Sequence, residues 1–240
     1  MMATTPKVFR LNGPEMVTCT VDVMRHFEED KTDTDDPQTR THAGEIAAFG
    51  MGVWMRRKFY PRYGLIYTST QPRGYRHAEL YVSGLTSYTE AMPTRIQKDP
   101  RLNDFSTDKR EIVVVAMAEA KTLSARFSTE VEMVLFQTPK GMEAIQLKVA
   151  EALSALAELK RRRGDFGMIR MHGACIEGLV ATCLQDINPE FKLESAMATL
   201  GGQFDKCEGA RLSFDRNGRC IKVEMLRLPP HLKALFAVLD

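Results

Sequence analysis

The sequence predicts an α/β chain: a three-layer sandwich whose central sheet is mostly parallel, with an antiparallel edge hairpin and helices on both faces. Three observations predict it. Short strand-like runs alternate with longer helical patterns, the arrangement that builds parallel sheets. The runs VTCTVDVM (17–24), LIYTST (65–70) and FGMIRMHG (166–173) are nearly continuous in apolar and β-prone residues, as strands covered on both faces are. Near the end, ARLSFDRNGRCIKVEML (210–226) alternates on either side of Asn217-Gly218, a dipeptide suited to a hairpin turn. At 240 residues the chain can bury a sizeable core, and it reads as a single domain over 1–240 with a variable helical and loop insertion at about 86–140.

The elements follow in order. The strand at 17–24 runs into Arg25-His26 and then an acidic stretch, Glu28, Glu29, Asp30, Asp33, Asp35 and Asp36. A helix is expected from about Ala43 to Phe59, capped by Thr41, with Ile46, Phe49, Val53 and Trp54 at helical spacing, and ended by Pro61 and Gly64. After the strand at 65–70 a Pro-Arg-Gly turn leads into a helix over 75–85. MPTRIQKDPRLNDF is loop-like. REIVVVAMAEAKTLSARF leans to helix because Ala, Met, Glu and Lys dominate after residue 116. The clearest helix is 141–164, where Ile145, Val149, Leu153, Leu156 and Leu159 form an apolar stripe and Gly164 suits the end. The strand at 166–173 meets His172-Gly173, and ACIEGLVATCL (174–184) is a further helix.

Composition excludes several classes. A net charge of +2, spread along the chain, gives no basic face for nucleic acid. KRRR at 160–163 reads as the basic last turn of a helix, favourable to its dipole. No run approaches a membrane span, and no signal-peptide core precedes the first strand. The five cysteines, Cys19, Cys175, Cys183, Cys207 and Cys220, have no metal-ligand spacing and read as reduced thiols, which points to a cytoplasmic protein. Oligomeric state is not set by these patterns, although the apolar face of 109–136 offers an interface.

In parallel sheets, ligands bind beyond the carboxyl ends of the strands. Arg25-His26, Ser69-Thr70 and His172-Gly173 all stand where an apolar strand finishes, so they are expected to share one rim. Arg25 and Arg73 offer planar, permanently charged forks that match phosphate oxygens. A neutral imidazole is a competent nucleophile, and a second, cationic one can donate to a phosphoryl oxygen. The arrangement needs neither metal nor cofactor, and two histidines without a partner at helical spacing make a poor metal site.

The segments VMRHFEE, TSTQPRGYRHAE, DPRLND and IRMHGACIEGL together resemble the histidine phosphatase superfamily, in its phosphoglycerate-mutase-like branch. The likeness spans roughly 16–85 and 165–228, with Thr41 and Gly44 matching a Thr-x-x-Gly helix start and the series Ser69, Arg73, His77-Ala78 following the second strand. The resemblance implies a histidine-phosphatase-like domain with named roles. His26 is the nucleophile that becomes a phosphohistidine. Arg25, Arg73 and His172 clamp the phosphoryl oxygens. Asp104, in RLND where the family often carries Glu, is the acid/base carboxylate, with Asp108 and Glu28 in reserve. Two positions depart from the pattern. Phe27 stands where Gly is usual, and His77, expected to pack beneath the site, replaces a Thr.

True mutases carry an Asn-rich stretch with Gly-Trp after the first motif. Here EEDKTDTDDPQTRT is short and acidic, which argues against a sugar bisphosphate. The expectation is a metal-independent phosphomonoester hydrolase acting on a phosphorylated small molecule or phosphoprotein. The alternative is a phosphatase-like binding or scaffold protein without turnover; phosphoglycerate-mutase activity ranks below both.

Overall fold

The structure, a computed structural model, describes residues 7–11, 16–26, 42–59, 63–86, 95–161, 166–171 and 173–237. Its elements in chain order are β1 (Val8–Arg10), β2 (Cys19–Arg25), α1 (His42–Phe59), β3 (Tyr63–Thr68), α2 (Pro72–Thr86), β4 (Arg95–Lys98), α3 (Glu111–Phe127), α4 (Val131–Leu135), α5 (Pro139–Lys160), β5 (Phe166–Met171), α6 (Cys175–Ile187), α7 (Ala196–Leu200), β6 (Gly209–Phe214), β7 (Cys220–Leu226) and α8 (Pro230–Ala237). One seven-stranded sheet runs in the order β1-β7-β6-β2-β5-β3-β4.

The sheet is mixed. β2, β5, β3 and β4 pair in parallel, whereas β6 lies antiparallel to β2, β7 to β6 and β1 to β7. The expected hairpin exists, with Gly218 at φ 77° in its turn, but it is not the edge. β6 pairs directly with the central strand β2, and β1 covers β7 on the outside. Burial explains the placement. Every residue of β6 is buried, so this strand lacks the solvent face an edge strand would have. Two strands were not expected: β1, only three residues long, and β4, which crosses the segment read as a loop.

Two cores fill the two faces. Val21 and Val23 of β2 and Leu65 and Tyr67 of β3 face α3 to α7, including the predicted stripe residues Ile145, Val149, Leu156 and Leu159 of α5. Met24, Tyr63 and Ile66 face α1 and α2. On α1 the buried face is not the expected one. Ala47, Ala48, Met51 and Met55 are buried, while Phe49 is 40% exposed. Glycines on α1 and α2 decide this: a Cβ on Gly52 would lie 2.2 Å from the Tyr81 carbonyl oxygen, and one on Gly84 2.1 Å from that of Phe49. The helices touch backbone to backbone, which small residues allow and large apolar ones would prevent.

No described helix is long and apolar enough to cross a membrane. All five cysteines are buried, with no disulfide among them. Thr41, the acidic stretch, Phe27, Gly164 and His172 lie outside the described residues.

Candidate active site

Parallel pairing carries β2 and β3 to the same rim on either side of β5. Arg25 is in register with Met171, and Thr68 with Arg170. Two inter-strand spacings therefore separate Arg25 from Thr68, roughly 10 Å between their backbones.

At the end of β2 the sheet bonding continues through the site residues. The Arg25 N–H donates to the Glu208 carbonyl at 2.8 Å, and the His26 N–H donates to that of Met171 at 3.3 Å. Both residues are buried, at 8% and 5% exposure. Strand alternation sends the Arg25 side chain to the face of Val21 and Val23. There its Nη1 donates to the Phe204 carbonyl at 2.8 Å and Nη2 to Glu132 Oε1 at 3.3 Å. With the Gln203 amide oriented to satisfy both its ends, the Gln203 oxygen accepts from Arg25 Nη1 at 2.6 Å and its nitrogen donates to Glu130. Arg25 Nε is buried and has no hydrogen-bond partner among the described residues.

Gly173, just after β5, makes room for this guanidinium. A Cβ there would meet Arg25 Cζ at 3.0 Å and Nη2 at 3.1 Å. The next residue, Ala174, has φ 59° and ψ −43°, an unfavourable conformation for a residue with a Cβ. In the first turn of α6, Glu177 is fully buried and its Oε1 accepts from the Phe204 N–H at 2.7 Å. Burial raises the Glu177 pKa, and the nearby Arg25 charge opposes that rise. Glu177 thus holds the loop whose carbonyl holds Arg25.

The second arginine is placed by the start of α2. Gly74 lets the helix begin against the strand end, because a Cβ there would lie 2.5 Å from Ser69 Oγ and 2.8 Å from Thr68 Oγ1. Arg73 therefore sits in the first turn, 7% exposed, and its Nη2 donates to Asp104 Oδ2 at 2.7 Å. Asp104 Oδ1 accepts from Gln71 Nε2 at 3.0 Å and from the Thr107 N–H at 3.2 Å. Asn103 Oδ1 accepts from the Thr70 N–H and hydroxyl at 2.8 and 2.9 Å. The RLND segment is thus zipped along the β3–α2 turn. Ser69 Oγ and Gln71 Oε1, buried in that turn, have no partner among the described residues.

Asp108, a reserve candidate for the acid, is engaged elsewhere. Arg110 bonds to it through side chain and backbone and holds its carboxyl down to about 2. Arg110 and the buried Lys148 both also reach Glu151, at 2.9 and 2.8 Å, which pins this segment to α5. A polar cavity of about 390 Å³ lies beside it, lined by Asn103, Thr107, Asp108, Arg110, Lys148 and Glu151 among others. His77 is fully buried on α2, its Nε2 3.8 Å from Cys207 Sγ, the packing position expected of it.

Of the residues singled out in the sequence, Arg25, His26, Arg73 and Asp104 lie on one rim, with Arg73 and Asp104 in direct contact. Sequence reasoning missed Gln71, Glu130, Glu132, Glu177 and Gln203. Only Glu177 carried a signal, as the one acid in the apolar run ACIEGLVATCL. Among the described residues, no group of three or more His, Cys, Asp or Glu is placed to hold a metal ion.

No protein-family model matches the sequence, and no curated protein matches it. Solved structures do match in shape. Mycobacterial hydrolase 2 is 16% identical with a TM-score of 0.60, over 94% of this chain and 99% of that one. A mycobacterial glucosyl-3-phosphoglycerate phosphatase is 17% identical with a TM-score of 0.57, over 86% and 96%. Phosphoglycerate mutase from Bacillus anthracis str. Sterne is 13% identical with a TM-score of 0.54, over 86% and 92%. At such identities the likeness is one of fold, and this chain shares the fold of that phosphatase and that phosphoglycerate mutase.

Proposed function

We propose that this chain is a metal-independent phosphomonoester hydrolase working through a phosphohistidine on His26. The observation that carries the reading is the rim itself: one buried arginine at the end of β2 with a buried histidine beside it, and a second in the first turn of α2 just beyond β3, two strands away in the sheet. Buried polar atoms with no partner among the described residues, Arg25 Nε, Ser69 Oγ and Gln71 Oε1, support a ligand there, since such atoms are costly unless something satisfies them.

In the first step a ring nitrogen of His26 attacks phosphorus. The P–N bond forms, the ester P–O bond breaks, and the leaving oxygen takes a proton from the carboxyl of Asp104. In the second, water attacks phosphorus, the P–N bond breaks, and the water's proton passes to Asp104. Inorganic phosphate leaves and the neutral imidazole returns. Arg25, Arg73 and His172 neutralise the non-bridging oxygens, and positioned charge of this kind does most of the work in phosphoryl transfer. Asp104 suits the proton-transfer role better than Asp108 by position, because it touches Arg73 of the rim whereas Asp108 is paired with Arg110 and Lys148. Residues 1–240 act as one phosphatase-like unit, and the excursion at about 86–140 shapes access for a phosphorylated small molecule or phosphoprotein.

One observation favours the binding-protein alternative: each oxygen of Asp104 already accepts a hydrogen bond, from Arg73 on one side and from Gln71 and Thr107 on the other. Turnover separates the two readings. Wild type in chelator should hydrolyse an aryl phosphate and trap a base-stable, acid-labile phosphoenzyme. His26→Ala and His172→Ala should each lose about a hundredfold or more in kcat/KM, and His26→Ala should trap no label. Silence of wild type on aryl phosphates, phosphopeptides and sugar phosphates alike, or variants equal to wild type, would sink the hydrolase in favour of a binding protein.

A further inference from the structure

The helical excursion over α3 and α4 brings negative charge to the guanidinium at the end of β2. Glu132 Oε1 lies 3.3 Å from Arg25 Nη2, and Gln203 bridges Arg25 to Glu130. The Glu132 side chain is 33% exposed, so it stands at the open side of a guanidinium that is itself only 10% exposed. The neighbouring Nε, on the same edge of the fork, has no partner among the described residues. Glu132 therefore covers half of the edge by which an arginine grips an oxyanion, and the other half, Nε, is buried with no partner among the described residues.

We infer that Glu130 and Glu132 set the substrate class: a phosphomonoester whose body carries a cation, an ammonium or a guanidinium, close to the phosphate. The inference rests on the hydrolase reading of the rim. Its basis is charge. Arg25 contributes +1 against −1 from each of Glu130 and Glu132, so this end of the site is short of positive charge before any ligand arrives. Arg227 reaches the same loop, donating to the Gln203 carbonyl at 2.6 Å, but it is already paired with Glu208 at 2.7 Å. A phosphate gripped by Arg25 stands beside the Glu132 carboxylate and is repelled by it. A cation on the substrate offsets that repulsion, seated between phosphate and carboxylate. An anionic body adds to the repulsion and is rejected, which is specificity achieved by an unfavourable contact with the wrong partner.

The test compares kcat/KM of the full chain, in chelator and at low salt, on three small esters: phosphoethanolamine, ethyl phosphate and phosphoglycolate. Wild type should prefer the ammonium ester over the carboxylate ester by about tenfold or more. The preference should shrink as salt is raised, because the pairing is partly exposed. The Glu130→Gln, Glu132→Gln double variant should bring the ratio to within about threefold, losing rate on the ammonium ester and gaining it on the carboxylate ester. Equal rates on all three esters in wild type, or an undiminished ratio in a double variant with an unchanged melting temperature, would overturn the inference and leave the hydrolase standing. No turnover of these esters or of aryl phosphate would overturn both.

Discussion

Two arginines meet strand β2 in opposite ways. Arg211, directly across from Asp22 in the sheet, gives that carboxylate its Nε and Nη2, both at 2.8 Å. Tyr63 also donates to Asp22, Tyr81 stands 3.1 Å beyond, and the Phe59 ring lies 4.1 Å from the guanidinium carbon. Three residues further along, Arg25 is buried to the same degree, 8% exposed against 9% for Arg211. Its corresponding edge holds one longer contact, to Glu132, and an Nε with no partner among the described residues. An arginine whose fork is closed on its own carboxylate can only hold the fold. One gripped from behind by a carbonyl keeps an edge for something else.

The largest test of that contrast is Asp22→Ala, which strands a buried guanidinium and the Tyr63 hydroxyl. Urea unfolding should show a loss of about 3–5 kcal/mol, with kcat/KM nearly unchanged at temperatures where the variant is folded. A loss under about 1 kcal/mol would mean the pair is not the closed, stability-bearing one described.

Gly173→Ala probes the other arginine without deleting it. The added methyl meets Arg25 Cζ and Nη2 at about 3 Å and should tilt the Nε–Nη2 edge. The expectation is a tenfold to hundredfold fall in kcat/KM, in line with small misplacements of binding groups, and a stability change within about 1 kcal/mol. Unchanged kinetics would detach that edge from the site.

The smallest effect separates a third pair, Asp108 with the half-exposed Arg110. The folded-state pKa of Asp108, about 2, lies below its ordinary value of 3.8. On acidification the unfolded chain therefore takes up this proton first. The pair's stabilisation is complete above about pH 5 and is lost as pH falls towards 2. Removing it with Asp108→Asn should flatten the acid limb of the stability curve by about 1 kcal/mol, less than a fully buried pair would give. An unchanged acid limb would dismiss the pair as a contributor.

The legible parts of the molecule were those set by local pattern. Helices α3, α5 and α6, the strand cores and the Asn217-Gly218 turn follow from periodicity and turn chemistry, and Arg25, His26 and Arg73 follow from where apolar runs stop. What stayed hidden depended on distant partners. β4 has the sequence RIQK, with too little apolar character to mark a strand, and it exists because Leu65 to Thr68 offer it a paired edge. The burial of Ala and Met on α1, with Phe49 turned outward, depends on Gly84 arriving from α2. Glu132 reaches Arg25 across 107 positions of sequence, and no spacing rule spans that distance.

The position of β2 has a consequence for how the molecule is made. Both its neighbours come late in the chain: β5 spans residues 166–171 and β6 spans 209–214. At typical synthesis rates, on the order of ten seconds or more pass between the emergence of β2 and that of its partners. Throughout that interval an apolar strand ending in Arg25-His26 waits unpaired, exposed to other nascent chains. Bonding of Arg25 to Glu208 and of His26 to Met171 closes only after the late strands dock, so the rim is among the last parts to form. Chains truncated before β6 cannot bury this strand, and they are the form of this protein most in need of chaperones.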